Sequence, residues 1–288
     1  MASPREIRRR IRSVRNMSQI TRAMEMVAAS KMRRAQDRVT ASRPYSERLR
    51  EFIAGLSSQQ MDAEELQRYP LLAERPLENA GLILLTPDRG LTGALNGNIL
   101  RRGAQFIRED VDVPTKVIAV GKKGRDFMAR TNQDMIADFV GLGDAPSLDD
   151  IRPIAKVAMD EFLSGGVDRV DMVFPRFINT LTQKPEAVQI LPIEQQESQV
   201  EDVDYIFEPD AETVLEEVLP RYVEVLLYQG ILETVASFYS AQMVAMRNAT
   251  DNANELADDL NLSYNKARQA QITNEVAEIA AGANAFRA

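Results

Sequence analysis

Glycines stand at Gly90, Gly93 and Gly97 in the segment Thr86-Pro-Asp-Arg-Gly-Leu-Thr-Gly-Ala-Leu-Asn-Gly97, which leaves an apolar run and enters a helical pattern. Such a turn could cradle a phosphate on backbone amides, but that chemistry needs Gly-x-Gly-x-x-Gly or a P-loop ending in Gly-Lys-Ser/Thr. Neither spacing is present, and Gly121-Lys-Lys-Gly124 also fails the P-loop pattern. No acidic residue closes the second strand pattern to hold a ribose, so these glycines read as tight strand-to-helix turns and no cofactor is expected. Asp144, Asp149 and Asp150 could ligate a hard cation. Gly-Asp-Ala-Pro-Ser ahead of a helical pattern is better read as a loop with acidic residues in the first helical turn, so no metal is expected. Arg8-Arg-Arg10, with Lys31, Arg33 and Arg34 further on, could bind nucleic acid, but aromatic interleaving is absent and a solvated or protein-facing basic stripe is the better reading. The chain has no Cys, His or Trp. That removes thiol nucleophiles, zinc thiolates, disulfides and every imidazole-based triad, and no catalytic residue is expected.

The elements that would position these residues follow from where the helix breakers fall. Of the 27 Gly and Pro residues in a chain of 288, 21 lie between Pro70 and Pro209. Gly and Pro punctuate compact folds and weaken long helices, so the chain divides into a breaker-poor N-terminal arm, a breaker-rich middle and a breaker-poor C-terminal arm. Charge separates along the same lines: residues 1–50 carry 14 basic and 4 acidic groups, residues 209–288 carry 5 and 12. A basic and an acidic arm attract each other. No run approaches 18 consecutive apolar residues and the N-terminus opens without an apolar core, so neither a spanning helix nor a secretory signal is expected, and the chain should stay in the cytoplasm.

In the N-terminal arm, Ala28, Met32, Ala35, Val39, Ser42, Ser46, Leu49, Ile53 and Leu56 alternate spacings of four and three, which is a heptad seam. Ile7, Ile11 and Val14 form a similar stripe, which reads as displaced by a short stagger near Met17 and Ile20. Pro44 predicts a local kink rather than an end. The C-terminal arm opens at Glu208-Pro-Asp210, with Asp210 a plausible N-cap, and its seam runs on strict four-three spacing from Val218 through Tyr239, Thr250 and Tyr264 to Ala285. At 1.5 Å per residue the first helix would run to about 80 Å and the second to about 110 Å. Both emerge from one folded middle, so they should lie antiparallel, with a single-helix tip near residues 265–288. That tip is small and apolar around most of its circumference, which calls for a partner that encloses it. Ala, Ser, Thr, Gln and Asn fill much of both seams, so the pair buries little apolar area by itself. It is either a marginal coiled coil or one whose outer surface contacts another protein.

Residues 80–195 alternate strand and helix: strands near 81–85, 116–120, 135–140, 170–174 and 187–191, and helices near 93–109, 122–130 and 147–164. This predicts a largely parallel sheet covered by helices, with the last two strands as antiparallel edges. The fold class is therefore α/β: a long antiparallel coiled coil of N- and C-terminal helices plus a central Rossmann-like α/β head domain. The boundaries are 1–58 for the first helix, 59–79 for a linker, 80–195 for the head, 196–208 for a second linker and 209–288 for the last helix.

Three segments carry a family resemblance: Ile20-Thr-Arg-Ala-Met-Glu-Met-Val-Ala-Ala-Ser-Lys-Met32, the Asp88-Arg-Gly-Leu-Thr-Gly93 turn, and Tyr264-Asn-Lys-Ala-Arg-Gln-Ala-Gln-Ile-Thr-Asn-Glu-Val-Ala-Glu-Ile-Ala-Ala-Gly-Ala283. They resemble the signature regions of the gamma subunit of rotary proton-translocating ATP synthases. The resemblance implies a noncatalytic central shaft that a membrane ring turns and that drives three catalytic sites of an alpha-beta hexamer, three copies of each subunit, in sequence. It implies that Met24 and Lys31 face the acidic lever segments of the beta subunits, and that Arg268 and Gln269 form a polar catch toward a beta subunit. The tip, with Ile279, Ala283 and Phe286, would turn inside an apolar sleeve. Tyr205 and Glu208, in the foot, would meet the c-ring of the membrane and the epsilon subunit. Membrane association would run through the ring only, at the cytoplasmic face, with no nucleic-acid partner. Thr92 stands where many members carry Cys, and the Cys-bearing insertion of chloroplast forms is absent, so the chain resembles the bacterial type. Two other readings compete: a nucleotide-dependent α/β enzyme with helical extensions, which would bind a cofactor saturably, and a basic coiled-coil scaffold, which would bind anionic polymers or lipids in a salt-sensitive way.

Overall fold

A computed structural model of the chain describes residues 3–57, 68–194 and 211–285. The order is α1 (Pro4–Ser57), a 3-10 turn (Pro70–Leu72), β1 (Ala80–Leu85), α2 (Leu95–Gln105) with a π turn at Phe106–Asp110, β2 (Thr115–Val120), α3 (Lys122–Arg130), β3 (Asp134–Phe139), α4 (Leu148–Leu163), β4 (Arg169–Phe177), β5 (Gln183–Leu191) and α5 (Ala211–Ala285). Pro44 lies inside α1, which continues to Ser57. The expected Asp210 cap lies outside the described residues. Contacts group the chain into two compact units, Met1–Ala28 with Met243–Ala288, and Ala29–Gln242.

In the larger unit the sheet order is β3-β2-β1-β4-β5. β1 pairs in parallel with β2 and β4, and β2 with β3. Only β5 is antiparallel, along the outer side of β4. The expectation that both last strands form antiparallel edges is therefore corrected. α4 carries the chain back across the sheet, so β4 arrives beside β1 in the same direction, and a helical crossover is what a parallel pairing requires. Every residue of β1 is buried, as in a strand covered on both faces. Ile83, Leu85, Ile118 and Val120 share a core with Ile151, Ile154 and Phe162 of α4 and with Leu219, Val223, Leu227 and Ile231 of α5. α5 is thus one of the two helices that roof this face. At Gly230 it comes so close that an added Cβ would sit 2.5 Å from Met172 Sδ. Ser237 and Ser240 of α5, both fully buried, donate to the carbonyls of Pro175 (2.9 Å) and Thr180 (2.6 Å), which satisfies hydroxyls that burial would otherwise penalise. α1 joins through Ile53, with Leu49 and Phe52, and through a small cluster of Ala35 and Val39 with Leu232 and Ala236.

In the smaller unit, Arg8 bonds Tyr264, Ser18 bonds Asn254, Thr21 bonds Thr250 and Arg247 bonds Glu25. The paired numbers add to 271 or 272, the constant sum of an antiparallel pair in fixed register. Ile7, Ile11, Thr21, Ala28, Met246, Thr250, Ala253 and Ala257 are buried along it. The stagger expected near Met17 and Ile20 is absent: both side chains are more than half exposed, and the seam runs unbroken through Ser18, Thr21 and Glu25. Polar residues hold these seam positions because each finds a partner across the pair. Beyond Ala267, every α5 residue with a described side chain is exposed, as the single-helix tip requires.

Candidate functional site

The candidate contact residues that lie among the described residues fall on the two long helices. Met24 is half-buried on α1, and beside it Met17, Ile20 and Val27 are each more than half exposed. Residues 17, 20, 24 and 27 follow three-four spacing next to the seam, so they form one apolar stripe on water. Arg268 and Gln269 are exposed where α5 passes the beginning of α1, and Ile279 is 72% exposed further along. The antiparallel register puts Met24 opposite residues near 248, about 30 Å along the pair from Arg268. These residues are therefore spread along the helix pair and do not gather into one pocket. Ala283 is in the last turn of α5 but its side chain is not described, and Phe286, Tyr205 and Glu208 lie outside the described residues.

Lys31 is engaged within the chain. Its ammonium pairs with Asp144 Oδ2, approaches the Tyr239 hydroxyl at 3.4 Å and stands 5.4 Å from the Tyr239 ring centroid. Arg89 donates to Asp144 Oδ1 at 2.6 Å and lies over Phe238, and Arg38 donates to the Asp144 carbonyl at 3.2 Å. Burial pushes the Asp144 carboxyl up, but Lys31, Tyr239 and Arg89 outweigh it and hold its pKa below the ordinary aspartate value. The hydrogen bond to Asp144 raises Lys31 despite some desolvation. Asp144 is therefore spent on cationic side chains, and Asp150 on a reciprocal capping box with Ser147 at the start of α4.

The glycine-bearing turns are equally occupied. Asp88 accepts from the amides of Lys122 (2.9 Å) and Gly141 (3.0 Å), tying together the loops that leave β1, β2 and β3. Thr86 Oγ1 accepts from Gly124 N at 2.7 Å, Pro87 O from Lys123 N and Gly121 O from Arg125 N. The first amides of α3, which an anion would need, are consumed by the protein's own oxygens. Asp88→Ala should leave two amides without their acceptor and cost about 1–3 kcal/mol. Urea unfolding of the purified chain measures this, and an unchanged midpoint would mean the loops close without the carboxylate. A solvent-open cleft sits here between Leu85, Phe139, Ile231 and Phe238, with Asp88, Arg89 and Asp144 also in its lining.

Two of the described acids are buried, Asp171 on β4, which pairs with Arg169, and Glu233 on α5, which accepts from Phe177 N at 3.2 Å. Burial raises its pKa, against the opposing pull of that amide, Arg176, Arg43 and Gln229. A carboxyl with a raised folded pKa holds its proton more tightly when folded. Its contribution is most favourable below the ordinary glutamate range and declines as pH rises through the raised value. Glu233→Gln should therefore raise the melting temperature more at about pH 8 than at about pH 4.5; equal shifts at the two pH values would contradict a desolvated carboxyl.

The ATP synthase family model matches residues 3–286. The chain is 53% identical to the ATP synthase gamma chain of Roseiflexus sp. (strain RS-1), with 99% of each chain covered. It belongs to the ATP synthase gamma-chain family. It is 50% identical to the gamma chain of Dehalococcoides mccartyi (strain CBDB1), over 99% of this chain and all of the other. Among solved structures, a chain of the Euglena gracilis mitochondrial ATP synthase (OSCP/F1/c-ring, rotational state 3) matches with a TM-score of 0.67 at 21% identity, covering 98% of this chain and 94% of that one. A chain of the Tetrahymena thermophila central stalk/c-ring structure matches with a TM-score of 0.61 at 23% identity, covering 80% and 99%. These structural likenesses carry the fold, in which long helices join a largely parallel sheet. As a gamma chain, the protein is a noncatalytic subunit of a larger complex. Among the described residues, no helix is long and apolar enough to cross a membrane.

Sequence reasoning missed the Asp144 junction and the Thr21–Thr250 pair. Asp144 stood out only as one acid among three, and nothing local pointed to partners 113 and 55 residues away.

Proposed function

We propose that this chain is the central rotor shaft of an ATP synthase, coupling proton flow through a membrane c-ring to ATP synthesis or hydrolysis at an alpha-beta hexamer. The observation that carries the reading is α5 itself. One helix of 75 residues buries at least one side chain in every turn from Leu215 to Met246 and is exposed on all sides from Arg268 to Gly282. A handle that is gripped at one end and bare at the other suits a part that is turned inside something else. Catalytic sites respond to a shaft only where it contacts their conformers differently, and an antiparallel pair with unequal ends and one apolar stripe has no rotational symmetry.

In this reading three alpha and three beta subunits meet Met24, the exposed part of Lys31, Arg268, Gln269, Ile279, Ala283 and Phe286. The small, apolar final turns run in a sleeve that offers little to interlock. Tyr205 and Glu208 meet the c-ring and the epsilon subunit, and the complex sits at the cytoplasmic face of the cell membrane, held there through the ring. The test is rotation: the chain is assembled with its alpha and beta subunits, a bead is fixed to the α/β body, and ATP is supplied. Unidirectional turning with three stations per revolution is expected. A hexamer that hydrolyses ATP while the bead stays still would overturn the reading.

A further inference from the structure

Two routes tie the long helices to the α/β body, and they differ in kind. α5 is fused to the sheet through the main core, with Val223, Leu227 and Ile231 packed on Ile83 and Leu85. α1 between Ala29 and Ser46 has no such anchor. Its buried residues Ala35 and Val39 face Leu232 and Ala236 of α5, with Phe177 alongside as the contribution of the body. The polar link at this level is Asp144, in the loop between β3 and α4. One carboxylate oxygen takes Lys31 of α1, the other takes Arg89 of the turn after β1, and the carbonyl takes Arg38 of α1. Tyr239 of α5 backs Lys31, and Phe238 of α5 backs Arg89. A single residue thus meets both long helices and the loop ends of the sheet.

We infer that Asp144 is a positioning residue for torque transfer: it locks α1 to the loops at the carboxyl ends of β1 and β3, so that the body turns both helices of the shaft as one piece. The inference rests on the rotor reading. Half-exposed ion pairs add little to stability, whereas a carboxylate shared by two cations from different elements fixes the angle between those elements. Without it, the stretch of α1 from Ala29 to Ser46 follows the body through its seam with α5, the Phe177 contact, the Arg38 bond to the residue-144 carbonyl and the more distant anchor at Ile53, and the shaft twists more under load.

The experiment uses the assembled complex. For Asp144→Asn, the melting temperature and the unloaded ATPase rate should stay near the parent's. The angular spread of the bead at its pauses should widen, and protons pumped per ATP hydrolysed in membranes should fall about two- to tenfold. Asp144→Glu should restore both. Arg89→Gln, which removes one arm of the lock, should widen the spread less, and it decides the question if the Asn variant does not assemble. A parent bead that fails to turn sinks the rotor reading itself. A parent that turns, with an Asn variant of equal spread and equal pumping ratio, sinks this inference alone. So does a loss of pumping that merely tracks a fall in melting temperature.

Discussion

Gly121→Val is expected to unfold the α/β body. Gly121 has φ +92°, a conformation in which a β-branched residue is strongly disfavoured. A Cβ there would lie 1.9 Å from Thr86 O, 2.7 Å from its carbonyl carbon and 2.9 Å from Thr86 Oγ1. The obstacle is mainly backbone, so no side chain can swing away. Retreat of Thr86 would break the bonds its hydroxyl makes to Val120 O (3.0 Å) and from Gly124 N (2.7 Å), together with the bond from Thr86 N to Val120 O. Backbone strain, collision and lost pairing at one buried site together exceed about 4 kcal/mol, a large part of the stability of a domain. Circular dichroism and urea unfolding of the purified chain measure the effect, with Gly121→Ala as the milder case. A valine variant within about 1 kcal/mol of the parent would mean that this turn can open.

The second large effect concerns binding. Ile20→Asp combined with Val27→Asp should leave the isolated chain folded, because both side chains are more than half exposed and neither belongs to the seam. Both positions flank Met24 on one exposed stripe, and the proposed reading sets Met24 against a partner in the assembled complex. A carboxylate placed against a desolvated apolar wall is expected to cost about 2 kcal/mol or more per site. The double variant should bind the alpha-beta hexamer on the order of a thousandfold more weakly. Titration of labelled hexamer with each chain gives the number, and thermal melting confirms that folding is intact. Unchanged affinity would show that this stripe does not face the hexamer, and would move the contact surface elsewhere on the shaft.

The helical arms and the positions of the strands were legible because side-chain periodicity is a local signal: three-four spacing for a seam and short apolar runs for buried strands. The same signal misled near Met17 and Ile20. There the apolar residues belong to an outer face and the seam is held by Ser18, Thr21 and Glu25, whose suitability shows only when Asn254, Thr250 and Arg247 stand opposite. The place of β4 was misjudged because β3 and β4 are joined by a helix whose path across the sheet no local pattern records. Of the candidate contacts, Arg268, Gln269 and Ile279 are exposed. Lys31 proved to have an internal partner, which its sequence neighbourhood did not announce.

The roof that α5 places over the sheet also has a meaning for biosynthesis. The last strand ends at Leu191, yet Leu219, Val223, Leu227 and Ile231, which cover Ile83 and Leu85, are made a good deal later. Until those residues leave the ribosome, one face of the sheet has α4 and the segment around Leu71 and Leu72 over it but lacks α5, and the Val, Ile and Leu surface that α5 would cover is open to water. The nascent body therefore waits, incomplete and adhesive, for the helix that will later serve as its axle, and a chain cut short before residue 231 yields no finished body at all.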